Sequence, residues 1–289
     1  MSAHILSGKE VAGRLQQEMK LQVEELKRKG IIPGLAVIIA GNNPASRLYV
    51  KKKSEASQKL GIYSRVIELP DDTSKEQLIS VVDMLNEDDA IDGILVQLPL
   101  PQHIDEREII QCISPDKDVD GFHPLNIGRL STGQDTFIPC TPLGILKLLQ
   151  EYHITMEGKH VVIVGRSNIV GKPAGQLLLN EHATVTYCHS KTRQLAHYTK
   201  QADILISAVG QSRLIKANMV KENAVVIDVG NSFDESGKLS GDVDFERVKE
   251  IASFITPVPN GVGPMTISML LYNTLKAAKK RAHAKGDSS

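Results

Sequence analysis

A hydroxyl, a phenol and an amine recur along the stretch from Ala45 to Leu60, at Ser46, Tyr49 and Lys53. At about 100° per helical residue, Ser46 and Lys53 fall roughly 20° apart, with Tyr49 about 60° to one side. One helix face would then carry all three groups. The plainer reading of Lys53 makes it the last of an exposed run, Lys51-Lys52-Lys53. Gln97 closes an otherwise apolar segment, Ile91 to Leu98, as a hydrogen-bonding group at a strand end or as an edge glutamine meeting water. Asp118-Val119-Asp120-Gly121 pairs two acids beside a glycine. Such a pair could bind a metal, grip the edge of an amino-pyrimidine, or only make a turn. No further acid or histidine has ligand-like spacing, so no metal is expected.

A second stretch, His160 to Pro173 (HVVIVGRSNIVGKP), has the composition of an anion cradle. Val161 to Val164 reads as a buried strand and Gly165 as a tight turn. Gly171-Lys172-Pro173 opens a helix through Gln176 to Asn180, whose positive end and amides would face a phosphate. The match to G-x-G-x-x-G is imperfect: Ser167 stands at the second glycine, Val170 at the third, and Gly171 comes one step late. By itself this fits an ordinary strand–turn–helix equally well. The next strand, Ala183 to Tyr187, is followed by His189-Ser190-Lys191-Thr192-Arg193. An NAD site usually ends that strand with an acid for the ribose hydroxyls. A hydroxyl and two cations instead suit a 2′-phosphate, so NADP is expected, a solvated basic loop being the alternative.

These groups need a scaffold, and the periodicity supplies an α/β one. Ser7 with Glu10 reads as a capping box for a helix whose stripe runs Val11, Leu15, Met19, Val23, Leu26 up to Gly30. Leu35 to Ala40, Ile62 to Leu69 and Ile91 to Leu98 read as strands, with a helix from Thr73, boxed by Glu76, to Leu85. Pro115 to Arg129 reads as a long polar loop. Thr141-Pro142 starts a helix read as a bridge between domains. Ala202 to Ala208, Ala224 to Val229 and Ser253 to Ile255 continue a parallel, doubly wound sheet. The last helix spans Thr266 to about His283, before a polar tail, Lys285 to Ser289.

Composition excludes several classes. The 289 residues allow about two domains, and a formal net charge of zero gives no reason to expect nucleic acid or an acidic membrane as partner. No apolar run approaches the roughly 18 residues of a membrane span, and the first residues lack the pattern of a signal peptide. Cys112, Cys140 and Cys188 stand apart without C-x-x-C spacing, as reduced thiols of a cytoplasmic enzyme would.

SRLYVKKK (Ser46 to Lys53), GILVQLPLP (Gly93 to Pro101), PDKDVDGFHPLNIGRL (Pro115 to Leu130), FIPCTP (Phe137 to Pro142), GRSNIVGKP and TPVPNGVGPMT (Thr256 to Thr266) occur in this order. Together they closely resemble the bifunctional methylenetetrahydrofolate dehydrogenase/methenyltetrahydrofolate cyclohydrolase family, over nearly the whole chain. The resemblance implies two open α/β domains flanking a cleft, the second a Rossmann-type NADP-binding domain. Residues 1–141 and 267–289 would form the folate-binding catalytic domain and residues 142–266 the NADP-binding one. A homodimer through the nucleotide-binding domains is implied as well.

By position, Lys53 resembles the family's catalytic lysine, Gln97 its hydrogen-bonding partner, and Tyr49 the residue stacking on the folate. Ser46 lies in the same wall, and Asp120 resembles the acid gripping the pterin. Pro257, Gly261, Val262 and Gly263 match the loop near folate and nicotinamide. Gly165, Arg166, Ser167, Ile169, Val170, Gly171, Pro173, Ser190 and Thr256 match cofactor-binding positions, Arg166 and Ser190 those at the 2′-phosphate. One departure is Asn260, where the family usually has glycine; asparagine tolerates left-handed backbone better than most residues. The implied chemistry passes a hydride from 5,10-methylenetetrahydrofolate to NADP+ and then adds water to the methenyl cation, giving 10-formyltetrahydrofolate. The first step asks for orientation and the second for a proton acceptor, which a desolvated lysine could supply. Another two-domain NADP dehydrogenase of the shikimate-dehydrogenase kind would not need SRLYVKKK with GILVQLPLP. A nucleotide-sensing homologue without turnover would have lost Lys53, Gln97 or Asp120.

Overall fold

The structure, a computed structural model, describes residues 2–233 and 237–286; Asp287 to Ser289 of the polar tail lie outside them. Its strands are β1 (His4–Ile5), β2 (Gly34–Ala40), β3 (Tyr63–Leu69), β4 (Gly93–Val96), β5 (His160–Val164), β6 (Thr184–Cys188), β7 (Ile204–Ser207), β8 (Val225–Asp228), β9 (Ser232–Phe233), β10 (Leu239–Ser240) and β11 (Phe254–Ile255). Its α-helices are α1 (Gly8–Arg28), α2 (Pro44–Leu60), α3 (Lys75–Glu87), α4 (Glu106–Cys112), α5 (Pro124–Ser131), α6 (Cys140–Glu151), α7 (Gly171–Asn180), α8 (Leu195–Thr199), α9 (Phe245–Val248) and α10 (Val262–Gly286). The chain divides into two compact units, Arg14–Cys140 with Ile267–Ser289, and Met1–Gly13 with Thr141–Thr266.

The first of these carries a parallel sheet in the order β3-β2-β4. All seven residues of β2 are buried, which fits a run without polar alternation in a covered parallel sheet. Ala36, Ile38 and Ala40 pack with Leu78, Val82 and Leu85 of α3 and with Ile94 and Val96 of β4. At the carboxyl end of β2 the chain bends at Gly41, whose φ is 87°. Asn43 then caps α2, its Oδ1 accepting from the amides of Ala45 at 3.0 Å and Ser46 at 3.1 Å, with Pro44 as first helical residue. α10 is anchored to the opposite end of the sheet. Arg281 donates to the buried Asp92 from Nε (2.6 Å) and Nη2 (3.1 Å), and Asp92 Oδ2 also accepts from the Gly34 amide at 2.9 Å.

The other unit holds a six-stranded sheet, β1-β11-β8-β7-β5-β6, parallel throughout. β6 lies on one side of β5 and β7 on the other, so the winding reverses between β5 and β7. That reversal is where ligands of doubly wound sheets sit.

Three local expectations differ from the structure. Residues 1–13, expected in the folate-binding domain, belong to the six-stranded unit. His4 and Ile5 pair with Phe254 and Ile255, and Leu6 is fully buried, neither of which a two-residue strand announces in sequence. The α3 capping box is Ser74 with Gln77, one residue later than Thr73 with Glu76. Thr73 Oγ1 is spent on the Pro70 carbonyl at 2.7 Å. The segment Pro115 to Arg129 is not loop throughout: Pro124 starts α5, capped by His123, whose Nδ1 accepts from the Leu125 amide at 3.1 Å.

Candidate active site

In the three-stranded unit the buried face of α2 reads Ser46, Val50, Lys53, Ser57 and Leu60, spaced as one inward helical stripe. Lys51 and Lys52 are exposed, whereas Lys53 is only 9% exposed. The structure thus separates Lys53 from the solvated run. Its Nζ donates to Gln97 Oε1 at 3.0 Å. Gln97 stands one residue past β4, its amide bonded to the Ile38 carbonyl at 2.8 Å and its Nε2 to the Leu98 carbonyl at 2.7 Å. Both ends of that side chain are therefore used, and the amine meets the sheet at the carboxyl ends of β2 and β4. Ser46 lies on the same stripe, 4% exposed, while Tyr49 stands to its side and is 36% exposed.

The two acids of the 118–121 loop have separate employments. Asp118 is buried and accepts from the amides of Gly121 (3.1 Å), Phe122 (3.2 Å) and His123 (2.8 Å) and from Asn126 Nδ2 (2.8 Å). Burial pushes its carboxyl above the usual range although these donors pull it back. It is the knot of the loop. Asp120 accepts from no main-chain amide among the described residues. Burial raises its carboxyl, the nearby Lys53 charge lowers it, and the Asp118 charge and the Cys140 thiol act on it as well. Cys140 is fully packed, donates to the Val119 carbonyl at 3.3 Å, and has its own thiol raised far up, first by burial and then by Asp120. Ser46, Lys53, Gln97 and Asp120 are thus in one unit, with Lys53 coupled to both Gln97 and Asp120. Spacing among the cysteines does not point to Cys140, because its neighbour here is an acid 20 residues earlier.

In the six-stranded unit Gly165 sits at the winding reversal with φ 127°. Its amide bonds the Cys188 carbonyl at 2.9 Å, and a Cβ there would strike the Ala208 carbonyl oxygen. A Cβ at Gly171 would strike the Gly165 carbonyl, so the helix begins as close to the turn as backbone allows. The third glycine role falls to Gly175, which sequence reasoning overlooked. A Cβ there would run into the Tyr187 ring, whose hydroxyl bonds the Lys172 carbonyl at 2.9 Å.

Two of the amides expected to face an anion are instead taken up by Ser167 Oγ, which accepts from Val170 and Gly171 at 3.2 Å each. Arg166 and Ile169 are exposed in the turn and Pro173 is buried in the first helical turn. Beyond β6, Thr192 Oγ1 accepts from the His189 amide at 2.9 Å and closes a small turn with Ser190, Lys191 and Arg193 exposed. The β5–β6 register pairs Val164 with Cys188, so Arg166 and Ser190 follow the carboxyl ends of adjacent strands. The nearest acid after β6 is Asp203.

Thr256 is fully buried and accepts from the Asp228 amide at 2.7 Å, so its hydroxyl is committed to the sheet. Asn260 takes the left-handed φ of 77°. Gly261 is buried against the Pro257 carbonyl and against Gly8 of α1, and the Lys9 amide bonds the Asn260 carbonyl at 3.0 Å. Val262 is buried too, leaving Gly263 exposed and Pro257 half-buried along this loop.

Residues 6–120 match the model of the tetrahydrofolate dehydrogenase/cyclohydrolase catalytic domain, and residues 139–282 that of the same family's NAD(P)-binding domain. The chain belongs to this family. The bifunctional protein FolD of Halalkalibacterium halodurans is 62% identical over 281 residues, covering 97% of this chain and all of the relative. The crystal structure of the bifunctional FolD enzyme from Campylobacter jejuni superposes with a TM-score of 0.96 at 51% identity, over 97% of this chain and 100% of that one. That of FolD from Trypanosoma brucei, solved with NADP and an inhibitor, gives 0.94 at 40% identity, over 98% and 99%. The expected family, α/β fold and Rossmann-type domain are borne out. Among the described residues no helix is long and apolar enough to cross a membrane.

Proposed function

We propose that the chain oxidises 5,10-methylenetetrahydrofolate with NADP+ and hydrolyses the resulting methenyl cation to 10-formyltetrahydrofolate, with Lys53 serving the second step. The observation that carries this is the buried Lys53 amine, held on Gln97 Oε1 and coupled to Asp120 at the carboxyl ends of β2 and β4. NADP+, when bound, accepts the hydride from the one-carbon bridge. The residues of this chain do the rest.

Asp120 has no main-chain donor to satisfy, so its oxygens can take paired hydrogen bonds from an amino-pyrimidine edge. The Tyr49 ring, on the same helix as Lys53, offers a stacking face. Lys53 takes a proton at Nζ from the water attacking the methenyl carbon. Gln97 Oε1 holds one N–H and so turns the amine's lone pair toward that water. Forming the carbon–oxygen bond breaks the carbon–nitrogen π bond and leaves a carbinolamine. As its hydroxyl gives up its proton and becomes the formyl carbonyl, one ring carbon–nitrogen bond breaks, and that nitrogen keeps the electron pair and takes a proton.

Cofactor choice follows from the turn. The close approach at Gly165 and Gly171 leaves room for a pyrophosphate, and Arg166, Ser190, Lys191 and Arg193 present cations and a hydroxyl to a 2′-phosphate. Pro257 and Gly263 complete this reading as substrate contacts, Gly261 and Val262 as the buried base of their loop, and Thr256 as its brace. The reading includes a cytoplasmic homodimer joined through the nucleotide-binding unit; sedimentation velocity giving a monomer would reject that part. Steady-state kinetics with both cofactors is the test. NADP+ should give the higher kcat/KM, and Arg166→Ala should cost NADP+ roughly 1.5–3 kcal/mol with little change for NAD+. Equal or better kcat/KM with NAD+ contradicts the assignment.

A further inference from the structure

We infer that Asn273 is a positioning residue for Asp120, acting through the main chain; this rests on the reading of Asp120 as the group that grips the folate. Asn273 lies on α10, 1% exposed, on the same buried side as Leu270 and Ala277. A primary amide in such a place is costly unless its donors are used. Here they are: Nδ2 donates to the Val119 carbonyl at 2.8 Å and to the Ile138 carbonyl at 3.0 Å. Two acceptors on one side fix which end of the amide faces them, since only the NH2 can serve both.

The two carbonyls belong to the segments that matter. Val119 precedes Asp120, and Ile138 lies two residues before Cys140, whose Sγ is 3.8 Å from the same amide nitrogen. The segments are pressed together with no room for a side chain. Gly121, with φ 77°, stands where a Cβ would come within 2.6 Å of Ile138 C and Pro139 N. The Cys140 thiol donates to the Val119 carbonyl as well, so one main-chain oxygen collects both side chains. Asp118 needs no such help, since four donors fix its carboxyl directly. Asp120 lacks main-chain donors, so its aim is set by the backbone at Val119, and Asn273 holds that backbone from behind.

Asn273→Leu keeps the branched shape, with somewhat more volume, and removes both donors. Measured on the full chain, it should raise KM for methylenetetrahydrofolate roughly tenfold while KM for NADP+ stays unchanged. Combined with Asp120→Asn, it should change the folate KM by less than about twofold, because the group it aims is already disabled. A folded Asn273→Leu variant with an unmoved folate KM overturns the inference, as does an equal loss in both backgrounds. Should Asn273→Leu fail to fold by circular dichroism, Asn273→Ser, which keeps a hydroxyl but loses reach, is read by the same two criteria. Asp120→Asn alone reports on the underlying reading. An unaffected folate KM there overturns both claims, whereas a raised KM there with an unmoved one in Asn273→Leu overturns only the role of Asn273.

Discussion

Asp118 and Asp120 are two residues apart in one loop, Asp118 buried and Asp120 half-buried, desolvation raises both carboxyls, and they do opposite things. Asp118 is saturated by three amides and one side-chain amide, and holds the loop's shape. Asp120 faces an amine and a thiol and has lone pairs to spare. A buried carboxylate is therefore assigned by where its lone pairs go, not by its burial or its pKa. The same contrast recurs in the other unit. Asp228 accepts from the amides of Gly230, Asp242 and Val243, each at 2.9 Å, and is a brace by this criterion.

The largest effect expected of this contrast is on stability. Asp118→Ala leaves three amides and the Asn126 amide without their acceptor and should cost about 3–5 kcal/mol, with both activities lost through the collapsed loop. Urea denaturation reads it, and a loss under about 1 kcal/mol would place Asp118 among the functional acids. Next comes the brace in the other unit. Burial pushes the Asp228 carboxyl up to about 6, so the folded chain binds a proton there before the unfolded chain does at about 3.9. Its contribution to stability is fully present below the unfolded value and lost as pH rises through about 6, a span of roughly 3 kcal/mol. Denaturation near pH 5 and near pH 7 should show this rise toward acid in the native chain and its absence in Asp228→Asn. A difference of the opposite sign between the two chains contradicts it. The smallest stability effect belongs to Asp120→Asn, within about 1 kcal/mol, yet folate binding should weaken by roughly 1.5–3 kcal/mol. Titration calorimetry with a folate analogue decides, and unchanged affinity would erase the distinction between the two acids.

Much of this was legible in the sequence because the signals are local. The unbroken apolar run of β2, the helical stretch from Ala45 to Leu60 and the spacing of Ser46 and Lys53 all act within one element. The acid-free end of β6 is read the same way. What escaped depends on distant partners. β1 has two residues and becomes a strand only against β11. Gly175 looks like an ordinary helical glycine until Tyr187 lies against it. Asn273 and Cys140 acquire meaning only when α10 and the 137–140 segment meet the Asp120 loop, across 153 and 20 residues of chain. The two acids of that loop look alike in sequence, because the amides that separate them come from the fold.

In the function proposed above, Lys53 is the proton acceptor of the hydrolytic step, and Lys53→Met tests this with each step assayed separately on the purified variant. Cyclohydrolase activity should fall at least about a hundredfold, as loss of a general base does. Dehydrogenase activity should fall less, with methenyltetrahydrofolate accumulating. Lys52→Met should leave both rates near those of the native chain. A Lys53→Met enzyme that keeps native cyclohydrolase activity contradicts the account, and equal losses in both steps would make Lys53 a group that positions substrate instead.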